Sequence, residues 1–433
     1  MNLSVQFSNV RALILGRFQM GAGVVTTFGI RVICAALSYL MFIAIGRASS
    51  AIDFRDFAFV FTVVGFCGPL AALGSQQTVF KYLPMLIHNE DAEQFAFSRH
   101  VFKIVCRGIL LFALVACVLI DHGVTQKLGW PFYVVIVLTI ATGALAEIMS
   151  SFYTVMGSVV VSVFVREMLW RVVLIAGVLA LYFINGPVTL MELSLVFLLS
   201  YIGMLTAFSV KLGGWLGKVW HAARTITMEI PRRQFWSFFG LAVLGLAIIH
   251  LDTMILGLAQ QSTSLGAFFS AQRTTQVLLF FGQSIGIFAG PIVSKAYALG
   301  NHEEITRFSR RTILFAGAPT LLMAVAMAVL AAPIMGMFRP EFTQYSLMLQ
   351  ILLLAPVFLV LGGLHTIIPT YCGGEHVYLS WRVILMVIMI PIKIAAALWG
   401  GPLQFAMVTV LDSLLITIMG LVISRVKCRV SAL

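Results

Sequence analysis

The chain alternates long apolar runs with short polar connections, and twelve of the runs are about 20 residues long. A helix rising 1.5 Å per residue needs about that length to cross a hydrocarbon core of about 30 Å. Inside that core every backbone N–H and C=O must be satisfied within the protein, so runs of this kind fold as helices. The runs fall at about 24–46, 57–83, 102–120, 131–154, 166–184, 190–212, 236–258, 264–292, 312–336, 344–368, 382–400 and 402–424. Only 10% of the 433 residues are charged, against about 25% in soluble proteins, and the mean hydropathy is +1.03. The sequence therefore predicts an all-α polytopic membrane protein with about 12 transmembrane helices. The first run, Val24 to Gly46, is too long for a signal-peptide core and no cleavage pattern follows it. Residues 1–23, with Leu3, Phe7, Val10, Ile14 and Phe18 beside Arg11 and Arg17, suit a helix lying in the interface.

The net charge of +12 raises the question of a nucleic-acid partner, and its distribution argues against one. The odd-numbered connections carry Arg47, Arg55, Lys127 and Arg339. Arg31, Arg273 and Lys393 fall inside spans. The rest of the 28 Lys and Arg, with Arg166, Arg171 and Arg382 counted among them at span ends, lie on the termini and even-numbered connections. Basic residues concentrate on the cytoplasmic side, which places both termini in the cytoplasm. The excess then marks orientation and attracts anionic headgroups.

The two halves of the chain resemble each other. The connection from Lys81, KYLPMLIHNEDAEQFAFSRH, and that from Lys295, KAYALGNHEEITRFSRR, share a lysine, an Asn, an acidic cluster and Phe-Ser-Arg. The acids suit helix N-termini capped by Asn89 and Asn301. The organisation expected is a 1–23 N-terminus, a 24–212 six-helix half, a 213–235 cytoplasmic connector, a 236–425 six-helix half and a 426–433 tail. Two such pseudo-repeats, related by an axis along the membrane normal, enclose a central cavity in many transporters.

Ionisable groups at membrane depth cost about 2.5–3.5 kcal/mol each on insertion scales and usually face a bundle interior or a wet cavity. In the eighth run, at about 100° per residue, Gln272, Arg273, Gln276, Gln283 and Ser284 share one sector, opposite Val277, Leu278, Phe281 and Ile285. Thr27, Arg31, Cys34 and Ser38 form a stripe on the first run. The cavity candidates are therefore the cations Arg31, Arg273 and Lys393 with the polar groups Thr27, Ser38, Gln272, Gln276 and Gln283. Asp252, Glu147 and Asp412 are candidate charge partners or coupling groups. The competing reading makes the glutamines helix–helix glue and lets Arg31 snorkel to the headgroups. The six cysteines are scattered without CxxC spacing, so neither a disulfide framework nor a metal site is expected, and no cofactor.

Four stretches carry a family resemblance: LDTMILG from Leu251, SLGAFFSAQR from Ser264, AGPIVSKAYALGNHEE from Ala289 and GRASSAIDFRDFAFV from Gly46. Together with twelve spans in two halves, they resemble the multidrug/oligosaccharidyl-lipid/polysaccharide (MOP) exporter superfamily, and within it the polysaccharide (Wzx-type) flippases. Phe268 and Phe269 stand where a tyrosine is common in that family. The resemblance implies a transporter that moves an undecaprenyl-diphosphate-linked oligosaccharide between leaflets of the bacterial inner membrane. The product would feed surface polysaccharide synthesis (O-antigen, capsule or exopolysaccharide) with a polymerase or chain-length regulator as partner. A drug antiporter of the same superfamily is the alternative. An integral-membrane polymerase or glycosyltransferase fits less well, because every odd-numbered connection is short.

Reporter fusions at Lys218 and Thr306 should read cytoplasmic, and fusions at Thr125 and Pro187 extracytoplasmic. Reversal at two or more of these sites would overturn the orientation.

Overall fold

A computed structural model describes residues 29, 33–86, 91–221, 232–260 and 262–430. Residues 1–23, Thr27, Arg31 and Asn89 lie outside them, and so does the side chain of Gln283. The described residues form helices joined by short turns; the single β-contact among them is an isolated bridge between Ser49 and Val188.

Ten stretches are long and apolar enough to cross a membrane. They are joined by the shorter α1, Ile33–Ala48, and by α10, Ser264–Ala298, giving about twelve spans. The second span is α2, Ala51–Ala71, continued after a break by α3, Ser75–Leu86. Pro69 cannot donate to the helix ladder, and Leu73 and Gly74 turn through positive φ. A Cβ on Gly74 would sit 2.8 Å from the backbone of Phe238 and Phe239, so the break is also where α9, Arg232–Ala259, comes close. The third to sixth spans are α4, Asp91–Gly123, α5, Trp130–Met156, α6–α7, Val159–Phe164 and Trp170–Asn185, and α8, Leu190–His221. A π-helical turn, Val165–Leu169, joins α6 to α7.

The second half is more broken. The ninth span is α11, His302–Thr312, a π-helical turn, Ile313–Gly317, then α12, Ala318–Val329, and α13, Ala331–Phe338. The tenth is α14, Ser346–Leu352, α15, Leu354–Leu361, and α16, Ile367–Tyr371. The sequence reads each of these as one continuous run. Pro319, Pro333, Pro356 and Pro369 remove backbone donors there, which accounts for the segmentation. The last two spans are α17, Glu375–Ala395, and α18, Pro402–Val426. Asn301 caps α11 as expected, accepting from Glu304 N at 3.1 Å. Several buried hydroxyls bond the carbonyl one turn back, as Thr62 does to Ala58 at 2.7 Å and Thr320 to Ala316 at 2.7 Å, and need no partner across helices.

On the face of the odd-numbered connections the two halves are tied together. Arg47 Nε and Nη2 donate to Met337 O at 2.8 Å and Gly336 O at 2.6 Å. Arg339 Nη1 donates to Gly46 O at 2.9 Å and also to Ser49 O. Arg55, which the sequence places in a solvated connection, lies inside α2 and is 1% exposed. It pairs with Asp56 at 2.7 Å, donates to Gly123 O, and reaches across to Gly257 O at 3.1 Å and Gln260 O at 3.0 Å. Asp56 in turn accepts from Thr125 N at 3.1 Å, Thr125 Oγ1 at 2.6 Å and Gln126 N at 3.3 Å.

Removing one partner of a buried, hydrogen-bonded ion pair costs about 3–5 kcal/mol. Arg55→Met should therefore lower the thermal unfolding temperature of the purified protein clearly, whereas Lys127→Met should leave it nearly unchanged. Equal, small effects of the two substitutions would show that Arg55 does not hold the halves.

Candidate functional site: a cationic cavity between the halves

Arg273 projects from α10 into a cavity of about 280 Å³. Its walls come from both halves: Ser38, Tyr39 and Phe42 on α1, Phe61 on α2, Trp170 and Arg171 on α7, Ile249 on α9, and Gln276 and Val277 on α10. The local sequence accounts for the arrangement. Ser270 and Thr274, flanking Arg273, satisfy their hydroxyls on Gly266 O at 2.9 Å and Ser270 O at 2.8 Å. Phe269, one turn before the arginine, stands below it. The guanidinium carbon lies 4.8 Å from the centroid of Phe269, 5.4 Å from Phe61 and 5.5 Å from Phe42. Those rings also pack edge-on to one another: Phe42–Phe269 centroids are 4.9 Å apart and Phe42–Phe61 5.1 Å.

Aromatic faces attract a cation by about 0.5–2 kcal/mol, but they do not neutralise it or use its N–H donors. Nη1 donates to Gln276 Oε1 at 3.1 Å, while the buried Nε has no acceptor among the described residues. The second guanidinium, Arg171, is stacked 4.5 Å over Trp170 and pairs with Glu167 at 3.2 Å. No Asp or Glu contributes to the wall of this cavity among the described residues. Two planar, permanently charged forks facing one space are suited to grip phosphate oxygens.

Two side chambers flank the cavity, each of about 170 Å³. In the second half, Lys393 is 5% exposed and lies between two carboxylates, 2.7 Å from Asp252 Oδ1 and 2.6 Å from Asp412 Oδ2. Asp252, a candidate charge partner from sequence, thus pairs with Lys393 and makes no ion pair with Arg273. In the first half, Glu147 shares a chamber with Arg166, Glu167, Arg171 and Tyr201. The π-helical turn sets Glu167 between Arg166, at 3.4 Å, and Arg171. Such turns recur at functional sites.

Of the residues picked from sequence, Arg273, Ser38 and Gln276 share the central cavity, and Ser38 Oγ is occupied with Cys34 O at 2.8 Å. Gln272 faces the second-half chamber and accepts from Thr253 Oγ1 at 2.8 Å, which is the glue role. Lys393, Asp252 and Asp412 meet in that chamber and Glu147 lies in the other. Val277, placed on the apolar side of the eighth run, borders the cavity. The residues missed are Arg171, Arg166 and Arg382. Each was counted with the cytoplasmic connections, but the helices extend further than the apolar runs: Arg166 and Arg171 lie inside 159–185, and Arg382 inside α17. The Glu167/Arg171 spacing of i, i+4 within an apolar segment was the available signal.

Because Lys393 separates two carboxylates, Lys393→Met should destabilise the protein by about 3–5 kcal/mol. Adding Asp252→Asn and Asp412→Asn should restore most of it, read by thermal unfolding. No loss in the single variant would mean that the three groups do not act as one network.

No protein-family model matches the chain, and no curated protein matches it. Solved structures do. An inward-facing multidrug resistance MATE family transporter of the MOP superfamily superposes with a TM-score of 0.68 at 13% identity, over 94% of this chain and 98% of that one. The lipid II flippase MurJ, in an inward closed conformation, gives 0.64 at 14% identity over 91% and 86%. A MOP superfamily transporter from Pyrococcus furiosus gives 0.59 at 12% identity over 94% and 95%. Along nearly its whole length, this multi-pass membrane protein has the fold of the MOP superfamily transporters.

Proposed function

We propose that this protein flips a lipid-linked oligosaccharide, carried on undecaprenyl diphosphate, from the inner to the outer leaflet of the bacterial inner membrane. The observation that carries the reading is the pair Arg171 and Arg273, which face one cavity between the halves whose wall holds no carboxylate among the described residues. A diphosphate needs such donors out of bulk water, while the prenyl tail stays in lipid. Likeness to MurJ, a lipid II flippase, fits a lipid-linked substrate. In this reading both termini are cytoplasmic, no cofactor is used, and a polysaccharide polymerase or chain-length regulator receives the product.

The fold is equally that of multidrug MATE transporters, which makes a drug antiporter the second reading. A cationic drug would have to enter against Arg273, which forms no ion pair among the described residues, and this weighs against it. The Asp252–Lys393–Asp412 group is the candidate for coupling in either reading.

Hydrogen bonds to charged groups are worth about 1.5–3 kcal/mol. Arg273→Ala should therefore cut polysaccharide export in a null strain by about ten- to a hundredfold at normal protein abundance. Arg273→Lys should keep part of the activity, since it retains charge and loses the fork. Full export by Arg273→Ala would end this reading. Extrusion of a cationic dye that survives Arg273→Ala would establish the antiporter instead.

A further inference from the structure

Arg382 is unused by the reading above, and its surroundings are specific. It lies on α17, where Arg382, Met386, Met389, Ile390 and Lys393 recur on one face and line the second-half chamber. Eleven residues of helix put Arg382 about 16 Å from Lys393. The chamber's only carboxylates among the described residues, Asp252 and Asp412, are both bound to Lys393. No ion pair involves Arg382 among the described residues, and its Nη1 is buried without a protein acceptor. Thr409 Oγ1 on α18, one turn before Asp412 and so at the Lys393 end of the chamber, is also buried and without a partner. Buried donors are rarely left unmatched, so the Arg382 Nη1 requires an explanation.

The chamber is not isolated. Gln276 and Leu279 line both it and the central cavity, and Gln276 holds Arg273 Nη1. The two spaces are therefore adjacent, and Gln272, Thr275 and Ser413 line the second of them together with Arg382. We infer that Arg382 is a specificity-determining residue that receives a second anionic group, a carboxylate or phosphate borne on the glycan. The transported lipid-linked oligosaccharide is then an acidic one. This rests on the flippase reading and adds to it the class of sugar.

The test uses the purified full-length protein in phosphatidylcholine nanodiscs. The probes are two prenyl-diphosphate disaccharides, one ending in glucuronic acid and the other in glucose. The acidic probe should bind about tenfold more tightly. Arg382→Gln should bring the acidic-to-neutral ratio near one, and Arg382→Lys should keep part of it, with folding checked by thermal unfolding. Arg273→Gln should weaken both probes and preserve the ratio. The inference falls if the native protein does not discriminate, or if discrimination survives Arg382→Gln. It falls too if phosphatidylglycerol discs or millimolar inorganic phosphate abolish the discrimination, since the site would then serve a headgroup or free phosphate. Equal binding of both probes overturns this inference alone. Binding of neither overturns the flippase reading, and this inference with it.

Discussion

A charge inside a helical bundle must find an opposite charge, a set of backbone carbonyls or water, because desolvation otherwise disfavours it by several kcal/mol. This protein meets that constraint in three ways, and the difference between them separates scaffold from site. Arg55 is bound by one carboxylate and three carbonyls, which leave only its Nε without an acceptor. Lys393 is likewise matched, by two carboxylates. Arg273 is held by ring faces and one glutamine, with donors left over. The charges with several protein acceptors hold helices together, and Arg273, with one, faces a cavity.

The arginines bound to carbonyls also decide where the bundle is closed. Arg47, Arg55 and Arg339 each bridge the halves on the face of the odd-numbered connections, and most of their acceptors are backbone carbonyls of the other half. Edge-on packing of Tyr39 against Phe338, with centroids 5.1 Å apart, adds an apolar layer to the same seam. Net hydrogen bonds to charged groups contribute about 1.5–3 kcal/mol each. A seam of a few such bonds is strong enough to define one state and weak enough to be exchanged for another. That balance suits alternating access, in which the proposed substrate would enter from the opposite face.

The Phe cluster connects the two roles. Phe54, Phe61 and Phe269 pack the α2–α10 contact between halves, and Phe61 and Phe269 also face Arg273. The cation is thus positioned by the same side chains that form the interface. Movement of α2 against α10 would change the cage around the guanidinium directly, with no relay of intervening residues.

What the sequence determined by itself is what depends on local pattern. Run length and hydropathy specified helices and their approximate number, because a lipid-exposed backbone has no alternative. A polar sector at helical spacing picked out Arg273 and Gln276. Asn301 preceding Glu303 and Glu304 marked a capped helix start. Partner choice between distant segments was not legible there. Nothing in the sequence says that Lys393 lies between Asp252 and Asp412 while Arg273 does not pair with Asp252, since that depends on how α9, α17 and α18 converge. Arg171 and Arg382 read as span-end cations because apolar runs underestimate helix length, and Arg55 read as solvated because its acceptors are carbonyls from other connections. Pairing a buried charge is a problem in three dimensions, and only the tertiary structure decided which charges were satisfied and which was left facing the cavity.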